Sequence, residues 1–180
     1  MPKIIENLRE KLLDTARRQV REEGYAGLTM RSVAEACGVG VGTVYNYFPS
    51  KESLVASFVA EDWHTVTERA LCASDRSALQ ILSDEYDGIR SILDLHRRLF
   101  SDPEAIRIYA ALPRERHEML RAQLAQPLET ALEREGCGGA AFLSLFLAES
   151  LLTWAIADVD RNALFSVLRP LLNTEKEYKE

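Results

Sequence analysis

The segment from Thr29 to Leu54 reads TMRSVAEACGVGVGTVYNYFPSKESL and carries side chains able to recognise a polyanion. The side chains suited to phosphate oxygens, by hydrogen bond or by charge, are Thr29, Arg31, Tyr45, Tyr47 and Lys51. Those suited to base edges or to a thymine methyl are Val41, Thr43 and Asn46. Phosphate contacts fix the position of a protein on a duplex, whereas base contacts select the sequence. These residue types therefore indicate binding to double-stranded DNA.

The spacing of small and apolar residues predicts how this segment folds. Two short helices that cross steeply need a small residue in the first helix and a glycine in the turn. Ala34 and Gly38 stand at those positions. The apolar residues phased to hold the helix pair together are Val33, Cys37, Val39 and Val44, and we also expect Phe48 in the core. The segment is thus predicted to be a helix-turn-helix.

Apolar residues recur at three- and four-residue steps almost throughout the chain, which predicts an all-α protein. A first helix is expected over about residues 4–23, and Thr29 is expected to cap the second. A third helix over 41–48 should stop at Pro49, and Ser50 should cap a longer fourth helix. The most regular stripe, from Leu79 to Phe100, predicts one uninterrupted helix. Asp160 is expected to cap the last helix.

Charged side chains are distributed unevenly along the 180 residues. Residues 1–51 carry eight basic and six acidic side chains, a net charge of +2, whereas the rest carries −8, for a total of −6. A small basic module joined to an acidic body is the pattern of a DNA-binding head with a separate second domain. We therefore predict a helix-turn-helix domain over 1–49 and a helical-bundle domain for ligand binding and dimerisation over 50–180.

The head resembles the DNA-binding domain of the tetracycline-repressor (TetR/AcrR) family. The matching residues, which lie within about 8–55, are Thr29, Val33-Ala34, Gly38-Val39, Gly42-Thr43-Val44-Tyr45, Tyr47-Phe48 and Ser50-Lys51-Glu52. This resemblance implies an all-helical homodimer that binds a palindromic operator, usually as a repressor. It also implies a small-molecule effector in the larger domain, and it places Tyr45, Tyr47 and Lys51 on phosphates.

The body of the chain offers a candidate effector pocket. Polar or aromatic side chains interrupt its apolar stripes, and an acidic group among aromatic rings would suit a cationic or amphipathic effector. The candidate pocket residues are Phe58, Trp63, Tyr86, His96, Phe100, Glu149 and Trp154. The alternative is that Tyr86, His96 and Trp154 are core residues with internal partners and that Glu149 pairs across a dimer seam.

The last two helices carry more apolar surface than a monomer of this size can hide, so we expect a homodimer through them. Residues 140–157 are apolar on every side, but Glu149 lies near the middle of a barely sufficient length, which favours a buried helix over a membrane span. Ala141, Ala148 and Ala155 would give this helix a smooth strip where a second helix can approach closely.

Other classes of protein find little support in the sequence. There is no nucleophile elbow, zinc-protease motif or phosphate loop, so no catalytic residue, no enzyme activity and no cofactor are expected. The three cysteines are dispersed and odd in number, which argues against a disulfide scaffold or a metal site. With no secretory leader at the start of the chain, we expect a cytoplasmic protein. Two alternatives remain: a non-specific or architectural DNA-binding protein without an effector, and a helical enzyme or carrier of an apolar ligand.

Overall fold

The computed structural model describes residues 7–72, 75–109 and 114–173. These residues form helices and, within those ranges, no strand, which confirms the all-α prediction. The helices are α1 (Leu8–Gly27), α2 (Met30–Cys37), α3 (Val41–Tyr47), α4 (Lys51–Leu71), α5 (Ala78–Leu95), α6 (Arg97–Phe100), α7 (Pro103–Tyr109), α8 (Arg114–Arg134), α9 (Ala140–Ile156) and α10 (Arg161–Asn173).

The chain divides into two compact units. Unit 1 comprises residues 1–62 and 93–111, and unit 2 comprises 63–92 and 112–180. Helices α4 and α5 therefore contribute residues to both units. The predicted boundary between residues 49 and 50 stays a prediction, because it divides the chain by function.

Unit 1 is built around α1. The apolar face of α1 buries Leu12, Leu13, Ala16 and Val20 completely. Helices α2, α6 and α7 pack against this helix. The short helices of the head thus share one core with α1, and that core fixes their outer faces.

The end of α1 differs from the expected one. Gly24 has φ 80° and ψ 178°, so the helix bends there, and a further helical segment continues to Gly27. A positive φ carries little cost only for glycine. The bend places Tyr25 and Leu28 in the core, each only 1% exposed. The predicted end of α1 at residue 23 therefore coincides with this bend, and the helix continues beyond it.

Three predicted caps are confirmed. The Thr29 hydroxyl accepts a hydrogen bond from the Ser32 amide at 3.0 Å. Ser50 accepts one from the Ser53 amide at 3.2 Å, and Asp160 accepts one from the Ala163 amide at 2.8 Å. Each cap pairs an amide that the helix itself leaves without an acceptor.

The helix predicted from Leu79 to Phe100 is interrupted. α5 ends at Leu95, and His96 (φ −106°, ψ 23°) leads into the separate short helix α6. A regular apolar stripe does not show this break, because α6 resumes nearly in phase with α5. The prediction of a single helix was wrong at its last turn.

In unit 2, α8 and α9 pack side by side. Ala148 and Ala155 of the predicted smooth strip are fully buried in this unit, whereas Ala141 is exposed. Close approach along the strip is therefore made within one chain. Over the described ranges, none of the helices combines the length and apolar character needed to cross a membrane.

Gly88 of α5 lies against Val66 of α4 in unit 2. A Cβ at position 88 would come within 2.7 Å of Val66 Cγ1 and 2.9 Å of Cγ2. We expect Gly88→Ala to lower the free energy of unfolding by about 1–3 kcal/mol, because the clash outweighs the better helix propensity of alanine, which is about 1 kcal/mol. Urea unfolding measures this change.

Gly42→Ala is the matched control. It is also a helical glycine, but an added Cβ would meet no atom within 4 Å. It should raise the free energy of unfolding by about 0.5–1 kcal/mol, as propensity alone dictates. Equal effects of the two substitutions would contradict the proposed contact.

Candidate nucleic-acid interface

Helices α2 and α3 form a helix-turn-helix. Gly38 ends α2 with φ 70° and ψ 34°, and its amide bonds back to Ala34 and Glu35 carbonyls. The Val39 amide also reaches the Ala34 carbonyl, at 3.0 Å. This left-handed turn redirects the chain so that α3 begins at Val41. The structure has the helix pair that the sequence predicted.

The inner side of the pair is apolar. The residues predicted to hold it together, Val33, Ala34, Cys37, Val44 and Phe48, are all at most 3% exposed, and Val39 is half-buried. The Cys37 thiol lies 3.3 Å from the Thr15 hydroxyl inside the core. Val44 is the residue by which α3 is held in the core, so the rest of that short helix faces away from the core.

The outer face of α3 carries the predicted contact residues. Val41, Tyr45, Asn46 and Tyr47 are exposed, and Thr43 is half-buried. Half of the Tyr45 side chain is accessible. Hydroxyl, amide and apolar groups are thus presented together on one short helix, and these are the kinds of group that read base edges.

Arg31 and Thr29 stand at the start of α2. Arg31 is almost fully exposed, and its Nε lies 3.5 Å from Glu35 of the same helix. The Thr29 hydroxyl is engaged in a reciprocal cap with Ser32. The threonine therefore acts on the helix end, whose first amides keep their capacity for a phosphate oxygen. A direct contact from Thr29 to DNA stays a prediction.

Lys51 begins α4, four positions after the end of α3. Its Nζ lies 3.7 Å from the centre of the Tyr25 ring, a cation–π contact. The Tyr25 hydroxyl in turn donates to Glu52 at 3.3 Å. The hydrogen bond from Ser50 is the main cause that lowers the pKa of the Glu52 carboxyl. Lys51 is thus a cation held at a defined place over the Tyr25 ring.

The seven candidate pocket residues do not share one unit. Phe58, His96 and Phe100 come together in unit 1, with ring centres 5.3 Å apart for Phe58 and His96 and 6.3 Å apart for His96 and Phe100. The other four, Trp63, Tyr86, Glu149 and Trp154, belong to unit 2. A single pocket formed by all seven stays a prediction.

His96 has an internal partner. It is buried, and its Nε2 lies 2.6 Å from Asp62 Oδ2. Arg17 also reaches Asp62, at 3.0 Å. Burial raises the pKa of Asp62, but hydrogen bonding from His96 and the charge of Arg17 outweigh it, so that the pKa is lowered overall. This network ties α1 and α4 to the junction between α5 and α6 within unit 1.

Several candidates in unit 2 are also paired within the protein. Trp63 Nε1 donates to Gln123 at 2.8 Å, and the Tyr86 hydroxyl donates to the Val159 carbonyl. Glu149 lies 3.0 Å from His117 Nε2. Trp154 is half-buried on α9. For Tyr86 and His96, the alternative of core residues with internal partners accounts for their positions.

Among the residues whose positions are described, no three His, Cys, Asp or Glu side chains are arranged to hold a metal ion. Sequence reasoning also missed Asp62 and Gln123, the partners of His96 and Trp63. No local sequence pattern indicates these two pairs, because each pair joins residues more than 30 positions apart in the chain.

Comparison with known proteins supports the prediction of a helix-turn-helix domain in the head. Residues 12–58 match the family model described as "Bacterial regulatory proteins, tetR family". The HTH-type transcriptional regulator BetI of Burkholderia mallei is 30% identical over 159 residues, which cover 79% of this chain and 82% of BetI. This chain belongs to the tetR family. Membership confirms the resemblance seen in the head, because the matched residues include both helices of the helix-turn-helix.

Other comparisons agree with this assignment. The HTH-type transcriptional repressor AcnR of Corynebacterium efficiens is 34% identical over 102 residues, and the chain spans only about half of that relative, 54%. A solved TetR/AcrR regulator from Thermobifida fusca has a TM-score of 0.62 at 18% identity, covering 94% of this chain and 99% of that one. At this identity the likeness concerns the fold alone.

Proposed function

We propose that this tetR-family protein represses transcription by binding a palindromic operator in double-stranded DNA as a homodimer, and that a small-molecule effector in the body releases it. The observation that carries the proposal is the outward face of α3, held in place by the buried Val44. Such a protein would act in the cytoplasm, where bacterial operators lie. The operator is expected upstream of the protein's own coding region.

The contacts of α3 with DNA divide into two kinds. Thr43 and Asn46 would bond to base edges and Val41 would meet a thymine methyl. The residues that would hold phosphates are Thr29, through the end of α2, with Arg31, Tyr45, Tyr47 and Lys51. The first group would select the operator sequence, and the second would set the position of α3 in the groove.

Helices α9 and α10 carry the surface proposed for the homodimer. The large apolar side chains exposed on them are Phe142, Leu145, Phe146, Ile156 and Val167. Residues 142, 145, 146 and 156 follow helical spacing along one side of α9. Large apolar side chains exposed together on one side of a helix are unusual on a monomer, and a second copy with the same side chains would cover them in an isologous dimer. Two copies would present two α3 helices to the two halves of a palindrome.

Release by an effector follows from differential binding. A ligand lowers operator affinity only if it binds the DNA-free arrangement more tightly than the DNA-bound one. Helix α4 contributes to both units, so we propose it as the element that a ligand shifts. An architectural DNA-binding protein without an effector is the second candidate. It is favoured by Gly40 and Gly42, which offer no side-chain contact to bases.

Selection of bound DNA from a random pool tests the proposal. We expect the protein to enrich an inverted repeat and to retard that repeat far more strongly than scrambled DNA. The dissociation constant should rise steeply with salt, because phosphate contacts release counterions. Equal retardation of all sequences would support the architectural alternative instead.

Lys51→Ala gives this experiment a second readout. The variant loses one phosphate contact in each half-site. The slope of log K against log[salt] should therefore become less negative by about 1.8, or about 0.9 for each contact. Arg18→Ala removes the same charge from the exposed side of α1 and should leave the slope unchanged. If both variants change the slope equally, Lys51 is not a specific phosphate contact.

A further inference from the structure

A carboxyl group without a partner is buried in unit 2. Glu85 of α5 is 1% exposed, and neither of its carboxylate oxygens has a hydrogen-bond partner in the described part of the chain. Burial raises the pKa of this carboxyl well above its usual range, and the charge of Asp84 raises it further. Buried polar groups are normally paired, so an unpaired one needs an explanation.

Glu85 lines a cavity of about 550 Å³ between α4 and α5. Val66 and Ala70 of α4 and Gly88 of α5 supply apolar wall, and Arg69 of α4 adds a guanidinium group. The volume falls within the range of about 300–1,000 Å³ that is typical of small-molecule sites. The cavity lies wholly within unit 2, which is part of the body of the chain where the effector is proposed to bind.

The other carboxylates at this cavity already have cations. Asp84 is paired with Arg76, and Asp87 accepts from Arg161 Nε at 2.8 Å. Arg69, although it lines the same cavity, makes no bond to Glu85. Glu85 is therefore the carboxyl at this site that has no partner within the described chain.

We propose that the cavity is an effector site for a small molecule that carries a protonated amine, with Glu85 as its anchor. The ammonium group would donate hydrogen bonds to the carboxylate and would stabilise its ionised form. Arg69 suits an anionic end on the same molecule, so amino-carboxylates fit better than diamines. The regulatory meaning of this site rests on the proposed function, since binding would have to lower operator affinity.

Thermal unfolding with defined probes tests this site in the full-length protein. The probes are lysine and 4-aminobutanoate as amino-carboxylates, 1,4-diaminobutane as a diamine, and acetate and glycerol as controls without an amine. At a concentration about a hundred times its Kd, an amino-carboxylate should raise Tm by about 5–10 °C. Acetate and glycerol should raise it by much less.

Two variants identify the anchor. Glu85→Gln replaces the buried carboxyl with an uncharged group of the same shape, so the variant should fold and retard the selected operator as the wild type does. The Tm of this variant should not rise when an amino-carboxylate probe is added. Glu133→Gln makes the same exchange at an exposed carboxylate of α8 outside the cavity, and this variant should keep the rise in Tm. If no amine probe raises Tm, or if Glu85→Gln responds like the wild type, the proposal is wrong.

Retardation of the selected operator separates the two hypotheses. An amine that raises Tm in the wild type should also weaken retardation, and it should fail to do so with Glu85→Gln. Binding without any change in retardation would overturn the regulatory role of the site. Failure of the ligand-free protein to retard any enriched sequence would count against the proposed function, while the Tm measurements would still decide whether the cavity binds amines.

Discussion

Tyr45→Ala is expected to weaken operator binding by about 100-fold without unfolding the protein. A hydrogen bond to a charged group contributes about 1.5 kcal/mol or more, and a dimer loses two of them, about 3 kcal/mol in all. In the described chain the Tyr45 hydroxyl has no partner and the ring is half-exposed, so its removal leaves the core intact. Gel retardation on the selected operator measures the loss, and Tm should change by less than about 2 °C.

Two further variants show which part of the side chain acts. Tyr45→Phe keeps the ring and should lose most of the affinity, because the phosphate contact is assigned to the hydroxyl. Ile106→Ala removes an exposed side chain from α7, in the same unit but outside the helix-turn-helix, and should bind like the wild type. If Tyr45→Phe retains full affinity, the tyrosine does not hold a phosphate through its oxygen.

The head could be predicted from the sequence because its signals are local. Thr29 caps α2 by accepting a hydrogen bond from the amide three residues ahead, Gly38 supplies a left-handed turn, and Val44 points inward from a helix of only seven residues. Each of these features is decided by neighbours within four positions. The prediction of the fold of the head therefore needed no knowledge of distant contacts.

The candidate pocket could not be predicted in the same way. His96 and Tyr86 were singled out as polar interruptions of an apolar stripe, but their partners, Asp62 and the Val159 carbonyl, are 34 and 73 positions away. Glu85 was missed although a signal existed, since it lies three residues after Leu82 and four before Ile89 on the buried side of α5. Whether a buried polar group is paired depends on tertiary contacts, which periodicity does not contain.

Phe146→Glu is expected to convert the protein to monomers. Phe146 lies one turn from Phe142, which is 78% exposed, so both rings belong to the apolar side of α9. In an isologous dimer the substitution places two like charges in one desolvated seam, at a cost on the order of 3 kcal/mol or more. This corresponds to a rise of at least about 100-fold in the dimer dissociation constant, measurable by sedimentation or light scattering.

Loss of the dimer should also abolish operator binding, because each half-site alone has weak affinity and the gain from linking two heads is about 10²- to 10⁴-fold. Leu71→Glu is the matched control, since it adds the same charge at an exposed apolar side chain of α4. That variant should remain dimeric and retard the operator. A Phe146→Glu protein that stays dimeric would show that α9 faces solvent in the assembly, and the spacing of the two α3 helices would then have to come from another interface.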